Sequence, residues 1–355
     1  MPCVRHVLAN SDRPLLVQRV VQSLQRGELC VLPTETVYGI AMLPSHPHAA
    51  AAGRELKGRG DTQPYTWHLA HTADARRLVP TFSAGVERLV ARYWPGPLTV
   101  LAPDGAGVLQ GLRVPAHDFT REVIAACGEP LWLTSVNRHG EPPLRDAAAI
   151  EAGFGAGLAV IVDDGPSPLG LASTIVRQDT RRLTVLREGI LGATEVLHTA
   201  ANLVLFVCTG NTCRSPLAEA LARELTAQKL GCAAADVLAH GIWFASAGTG
   251  TMDGMPASDG SLAVAAESQV DLTQHASRQV TRALVDRAGQ IWCLAQSHRR
   301  ALLAEFPHIA AKVRLLRPDA LDVADPYGRD LPVYRRTRDE IRAVLQARLP
   351  EWLPA

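Results

Sequence analysis

The sequence predicts an α/β protein of two domains, the second a doubly wound parallel sheet, and three observations lead there. A chain of 355 residues is too long for one comfortable core. Leu183–Leu186 followed by Arg187-Glu188-Gly189 reads as the end of a first fold, and Ala193–Asn202 carries no strong periodicity, which places a boundary near residue 199 and domains at 1–198 and 199–355. From Leu203 onward, apolar runs at Leu203–Cys208, ending at Ala245-Ser246-Ala247-Gly248 and at Ile291–Leu294 alternate with helical stretches. That β-α-β-α-β order puts a ligand at the carboxyl ends of parallel strands.

Composition narrows the class. Apolar content of 47% supports two cores, and 36 Lys+Arg against 35 Asp+Glu leave a formal charge of +1. There is no global attraction to nucleic acid or to an acidic membrane, so any RNA contact is expected to be local. Seven unevenly spaced cysteines do not form a disulfide framework and indicate a reducing compartment. The stretch MPCVRHVLANSDR lacks a signal peptide's apolar core, and no run approaches a membrane span. A soluble cytoplasmic protein without membrane contact is expected.

In the first domain, Leu16, Val20, Val21 and Leu24 mark one face of a helix over Leu15–Gln25, stopped by Gly27. The buried run Leu29–Leu32 leads into Pro33-Thr34-Glu35-Thr36-Val37-Tyr38-Gly39, whose hydroxyls at a strand end suit a binding loop or a capped turn. Lys57-Gly58-Arg59 places two cations on an extended segment, suited to a polyphosphate or simply to solvent. Trp94–Thr99 is a rigid turn entering a strand, and Arg113-Val114-Pro115-Ala116-His117 follows a glycine-rich turn. Strands Leu131–Thr134 and Ala159–Val162 end in Ser135-Val136-Asn137 and Asp163-Asp164-Gly165, and Ser173-Thr174-Ile175-Val176 comes later. Taken singly, polar residues at strand ends usually satisfy backbone groups.

Their order resembles the YrdC/Sua5 family of threonylcarbamoyl-adenylate synthases over nearly the whole segment. Pro33–Gly39 matches its opening loop, Lys57 and Arg59 its KxR element, and Pro64 and His68 its proline and histidine. Ser135 and Asn137 match its SxN, and Trp94–Thr99, Arg113, Ser173-Thr174 and Arg187 complete the series. The resemblance implies a twisted α/β sheet around a cavity where ATP, with Mg²⁺ as its counter-ion, bicarbonate and L-threonine give threonylcarbamoyl-AMP for tRNA modification. It further implies that Lys57, Arg59 and Arg113 neutralise the triphosphate, that Ser135 and Asn137 bind phosphate oxygens, and that Thr34, Tyr38 and His68 line the amino-acid pocket. Gly60, Gln63, Tyr65, Val136, Ala172 and Glu188 depart from the family pattern. Those departures motivate a competing reading: a degenerate domain that binds nucleotide or RNA and regulates its neighbour.

The second domain is organised by LVLFVCTGNTCRSPLAEA. Cys208 and Arg214 frame a tight loop, and Ser215-Pro216 then opens a helix, serine suiting the N-cap and proline the first turn. Gly210 and Asn211 tolerate the positive φ of an anion nest. A dianion there would meet backbone N–H groups, a helix N-terminus and the guanidinium fork of Arg214. The same field is expected to depress the pKa of Cys208 and make it a nucleophile. A zinc site from Cys208, Cys213 and Cys232 is disfavoured because no CxxC pair exists. Ala218–Leu230 continues the helix. Asp325-Pro326-Tyr327-Gly328 precedes a terminal helix Val333–Leu349 and offers a general acid, or a plain turn.

Cys208–Ser215, Ser246-Ala247-Gly248 and Asp325-Pro326 together resemble the low-molecular-weight protein tyrosine phosphatases over about residues 202–352. The resemblance implies attack by Cys208, oxyanion binding by Arg214 and the loop Thr209, Gly210, Asn211, Thr212, proton transfer by Asp325 beside Tyr327, and a protective disulfide between Cys208 and Cys213. No metal held by the protein and no cofactor is implied for this domain. Thr212, in Cys-Thr-Gly-Asn-Thr-Cys-Arg-Ser, resembles the branch acting on phosphoarginine, where tyrosine-specific members carry a bulky aliphatic. The expected partners are small molecules for one site and a phosphorylated protein for the other.

Overall fold

The computed structural model describes residues 3–58, 64–138 and 140–353. It divides into two compact units, Met1–Ala200 and Ala201–Ala355.

In the first unit, ten strands among the described residues form one mixed sheet. In spatial order they are Val4–Val7, Val160–Asp163, Cys30–Leu32, Gly39–Met42, Leu131–Ser135, Thr66–His68, Leu109–Arg113, Leu98–Pro103, Thr174–Gln178 and Leu183–Arg187. Pairing brings polar strand ends together: Gly39 lies opposite Ser135, His68 opposite Arg113, and Leu98 opposite Thr174. The helix Arg13–Gln25 begins on Asp12, whose side chain accepts from Leu15 N, and buries Leu16, Val20, Val21 and Leu24 as their spacing requires. Those side chains pack with Phe119, Val123 and Ile124 of the helix Asp118–Cys127. Truncating fully buried Leu24 to alanine should cost about 2–5 kcal/mol.

Two local expectations are corrected here. Lys57 does not lie on an extended segment. It ends the helix Ala49–Lys57, which stops on Gly58 in the left-handed region at φ 61. The segment expected to lack periodicity holds the helix Ala193–Ala200. It is only 8 residues long, so its apolar face is marked by no more than Val196, Leu197 and Ala200, and tertiary contacts help to hold it. Glu188 accepts from Ala193 N at 2.5 Å, Tyr93 O–H donates to Glu195, and Gly85 lets the Ala200 carbonyl approach the helix Ala84–Tyr93.

The second unit holds four parallel strands among the described residues, in the order Ile242–Gly248, Asn202–Cys208, Ala288–Cys293, Val313–Leu315. Asn202–Cys208 is central, and its alternate side chains enter two cores. Val204 and Phe206 pack with Leu217, Leu221, Ile341 and Leu345 from the helices Arg214–Leu230 and Leu331–Arg348. Leu203, Leu205 and Val207 face Val285, Leu302 and Phe306 on the other side. Covering both faces explains why this strand is apolar throughout and does not alternate. Among the described residues, no helix is long and apolar enough to cross a membrane.

Candidate active sites

The central strand of the second unit delivers Cys208 to the carboxyl end of the sheet, and the chain turns back at once into a helix. That helix starts at Arg214, so Ser215 lies inside its first turn and does not cap it as expected. Of the two residues expected to take positive φ, only Asn211 does, at 50°, and it is fully buried. Its Nδ2 donates to Ser215 Oγ and to Ser246 Oγ, both at 2.9 Å, while Oδ1 accepts from Arg278 N at 2.9 Å. Ser246 in turn donates to Glu219 at 2.8 Å. With its oxygen accepting from Asn211, Ser215 has its proton free for Cys208 Sγ, 2.9 Å away. A Cβ on Gly248 would lie 2.4 Å from the Thr209 carbonyl oxygen, so the neighbouring strand must end in glycine for this loop to pack.

Cys208 departs from expectation in its acidity. Burial pushes its thiol up from the ordinary value, and this outweighs the opposing pull of Ser215, the loop N–H groups and Arg214. The charge of Arg214 is already shared. Its Nη2 meets Asp325 Oδ2 at 2.5 Å and its Nη1 donates to Val323 O, while buried Nε has no partner. An anion seated in the loop would meet that orphaned N–H and compete with Asp325, which is half exposed at 51%.

Thr209 contacts His298 Nε2 at 3.0 Å, and the buried imidazole is pushed down to about 4, first by burial and then by Arg214, so it is neutral at pH 7. Thr212, Gly210, Met252, Met255, Gln279, Asp325 and exposed Tyr327 line an open cleft of about 1070 Å³ above Cys208. Cys213 Sγ donates to Ser258 Oγ at 3.2 Å and lies 3.7 Å from Tyr334, and both loop cysteines are free thiols. Ser246 signalled itself in sequence only through the resemblance of Ser246-Ala247-Gly248. Glu219 gave no local signal except its place four residues beyond Ser215.

In the first unit, a cavity is lined by Thr34, Tyr38, Tyr65, His68, Thr99, Arg113, Ser135, Ser173 and Arg187, among others. Seven of these were expected site residues. Lys57 and Asn137 stand beside it: Lys57 donates to Ser135 O and to Asn137 Oδ1, the latter at 2.9 Å, and Ser135 Oγ donates to the same Oδ1. Arg59 lies outside the described residues. Arg113 does not join Lys57 but belongs to a second group with His68 and Arg187. Burial and Arg113 push His68 down to about 3, keeping it neutral, and burial followed by Arg113 lowers Arg187. Thr34 spends its hydroxyl on its own loop, donating to Val37 O at 2.6 Å. Tyr38 likewise donates to Gly165 O and accepts from Asp164 N, so it offers the cavity its ring, and burial holds its phenol at about 12.

Glu35 and Thr36 belong to the expected binding loop and Thr99 to the expected rigid turn, but none of the three was given a role of its own. Glu35 and Thr36 accept from Arg113 Nη2 at 2.6 and 2.8 Å, and Thr99 pairs with Ser173 at 2.8 Å. Among the described residues, no cluster of three or more His, Cys, Asp and Glu could hold a metal ion.

A family model described as "Telomere recombination" (Sua5, YciO, YrdC) matches residues 22–189, and one described as "Low molecular weight phosphotyrosine protein phosphatase" matches residues 203–352. A putative threonylcarbamoyl-AMP synthase of Mycobacterium tuberculosis (strain CDC 1551 / Oshkosh) is 34% identical over 184 residues, which cover 48% of this chain and 82% of that protein. The threonylcarbamoyl-AMP synthase of Pyrococcus abyssi is 29% identical over 182 residues, 49% of this chain, and the match spans only 54% of that relative. Over 152 residues the chain is 30% identical to the probable low molecular weight protein-tyrosine-phosphatase EpsP of Ralstonia solanacearum, covering 42% of this chain and 93% of that one. A solved structure of a doubly substituted P. abyssi Sua5 shares the fold at 18% identity, with a TM-score of 0.52 over 88% of this chain and 98% of that one. Each half therefore matches a relative along most of that relative's own length, and the chain belongs to two families: the Sua5/YrdC threonylcarbamoyl-AMP synthases through residues 22–189 and the low-molecular-weight phosphotyrosine protein phosphatases through residues 203–352.

Proposed function

We propose that the chain is a bifunctional enzyme, with residues 1–198 making threonylcarbamoyl-AMP and residues 199–355 hydrolysing phosphoarginine on protein. For the first activity the supporting observation is the cavity itself, where seven of the expected polar and aromatic residues converge from different strands and loops. L-threonine's amine and bicarbonate condense to a carbamate with loss of water. The carbamate oxygen then attacks the α-phosphorus of ATP and displaces pyrophosphate. Lys57, Ser135 and Asn137 hold phosphate oxygens together with Arg59, while His68, Arg113, Ser173 and Arg187 surround the threonine and bicarbonate end. Mg²⁺ travels with the nucleotide and is held by its phosphates. Release of pyrophosphate that requires ATP, L-threonine and bicarbonate together tests the reading. Folded protein that releases none would end it.

For the second activity, the supporting observation is the Arg214–Asp325 pair beside a nucleophile aimed by Ser215. The Cys208 thiolate attacks phosphorus in line, Arg214 and the loop amides hold the equatorial oxygens, and protonated Asp325 gives its proton to the leaving nitrogen. Asp325 then takes a proton from water as that water cleaves the cysteinyl-phosphate, releasing phosphate and restoring the thiolate. A guanidinium suits Asp325, which already binds one in Arg214, and Thr212 lines the cleft with a small polar side chain. Phosphoarginine should therefore exceed phosphotyrosine in kcat/KM, and Thr212→Ile should shift the ratio toward phosphotyrosine by about 1–3 kcal/mol. A wild-type preference for phosphotyrosine would overturn the choice of substrate.

A further inference from the structure

We propose that Glu35 sets the charge of the anion subsite in the first unit, and so selects a singly charged carboxylate or bicarbonate over a phosphate dianion. The inference deepens the synthase reading and rests on it for the identity of the carboxylate. Two guanidinium groups serve the subsite, and each spends Nε and Nη2 on protein acceptors. Arg113 donates Nε–H to Gly96 O at 3.2 Å and Nη2–H to Glu35 and to Thr36, which leaves Nη1 for a ligand. Arg187 donates Nε–H and Nη2–H to Ser173 O at 3.2 and 2.8 Å, which again leaves Nη1.

The two arginines are not equivalent electrically. Arg187 rests on a neutral carbonyl, whereas Arg113 is paired with Glu35, the two side chains being 6% and 12% exposed. Glu35 cannot readily leave. Its second oxygen accepts from Ala116 N at 3.1 Å and its backbone carbonyl from Leu169 N at 3.0 Å. His68 and Tyr38 are uncharged there, so two guanidinium groups and one carboxylate leave the subsite with a single positive charge. A monoanion is matched by that field. A phosphate dianion would leave an uncompensated charge in a buried site, which is strongly unfavourable.

The test measures inorganic phosphate binding to the full chain by titration calorimetry, in an Arg214→Ala background that silences the phosphatase loop. Glu35→Gln keeps an acceptor for Arg113 but raises the subsite charge by one, and phosphate affinity should rise at least about tenfold. Glu35→Asp should show no gain. Glu35→Gln combined with Arg113→Gln restores the original charge and should lose the gain. No gain in Glu35→Gln, or a gain that survives in the double variant, overturns the proposal. Should Glu35→Gln fail to fold, Arg113→Gln alone carries the test: its subsite is neutral and L-threonine affinity should fall at least about tenfold, with unchanged affinity overturning the proposal. A phosphate gain that L-threonine cannot displace would uphold the charge selection and refute the amino-acid reading of the cavity, so the two failures are distinguishable.

Discussion

Replacing Ser215 by alanine separates its side-chain hydrogen bond to the Cys208 sulfur from those of the loop N–H groups, which the substitution leaves in place. Arg278 N fixes the orientation of the Asn211 amide, and that amide occupies Ser215 Oγ as an acceptor at 2.9 Å. The Ser215 proton then has Cys208 Sγ at 2.9 Å as its nearest target, with the Ala247 carbonyl at 3.5 Å a distant second. A hydrogen bond to a charged acceptor contributes about 1.5–3 kcal/mol, and one pKa unit corresponds to about 1.4 kcal/mol. The Cys208 pKa should therefore rise by about 1–2 units in Ser215→Ala. Alkylation by iodoacetamide across pH, followed by peptide mass spectrometry, reads the thiolate fraction site by site. Cys293 is a built-in control, being buried and pushed up to about 12 with no such donor. Turnover should fall about 10–100-fold at pH values below the alkylation midpoint and recover above it. A midpoint that stays put while turnover falls at every pH would refute the reasoning, because Ser215 would then act only on the shape of the loop.

Asp325→Asn removes both the proton donor and the partner of Arg214, so turnover on a poor leaving group should drop about 10²–10⁴-fold. In the same variant inorganic phosphate should inhibit more strongly, because the dianion no longer competes with a carboxylate for the guanidinium. Gly248→Ala forces a Cβ to within 2.4 Å of the Thr209 carbonyl oxygen. Thermal unfolding should report a loss of about 1–3 kcal/mol for the second unit, and phosphatase activity should fall while pyrophosphate release persists. His68 has a folded value of about 3 against an ordinary 6.5. The unfolded chain therefore binds the extra proton inside that window, and the contribution is complete above it and lost as pH falls, by on the order of 5 kcal/mol. In His68→Gln, the slope of unfolding free energy on pH between about 4 and 6 should decrease by about one proton relative to wild type.

What sequence could show depended on whether a residue's function is local. Cys208, Asn211, Arg214 and Ser215 sit in one loop whose spacing alone places them around a tetrahedral anion, and the structure brings them together. Asp325 was found because a proline turn before a helix marks it, although 111 positions separate it from the arginine it meets. Glu219 and Glu35 were not found, since their partners are chosen by tertiary contact. One reaches Ser246 on a neighbouring strand, and the other reaches Arg113 across 78 positions. The helix Ala193–Ala200 escaped because 8 residues give too short a repeat to read, while Tyr93 and Glu188 hold it from outside. The acidity of Cys208 was misjudged because a motif shows which charges lie near a thiol and not how deeply it is buried.

The two sites solve one electrostatic problem in opposite ways. Each holds an arginine proposed to receive an anion, and each pairs that arginine with a carboxylate. In the phosphate loop the carboxylate belongs to Asp325, which is 51% exposed and also accepts from Tyr327 N within its own turn. In the phosphatase reaction proposed above, a dianion would displace it toward solvent and free it to act as the acid, leaving the full charge of Arg214 to the ligand. In the cavity, Glu35 is 12% exposed and tied by Ala116 N, so it stays on Arg113 whatever arrives. An exchangeable partner lets a site bind a dianion, whereas a fixed partner caps the ligand's charge at one. On the two proposed activities, the exposure of the carboxylate, more than the presence of the arginine, would decide which anion each half of the chain accepts.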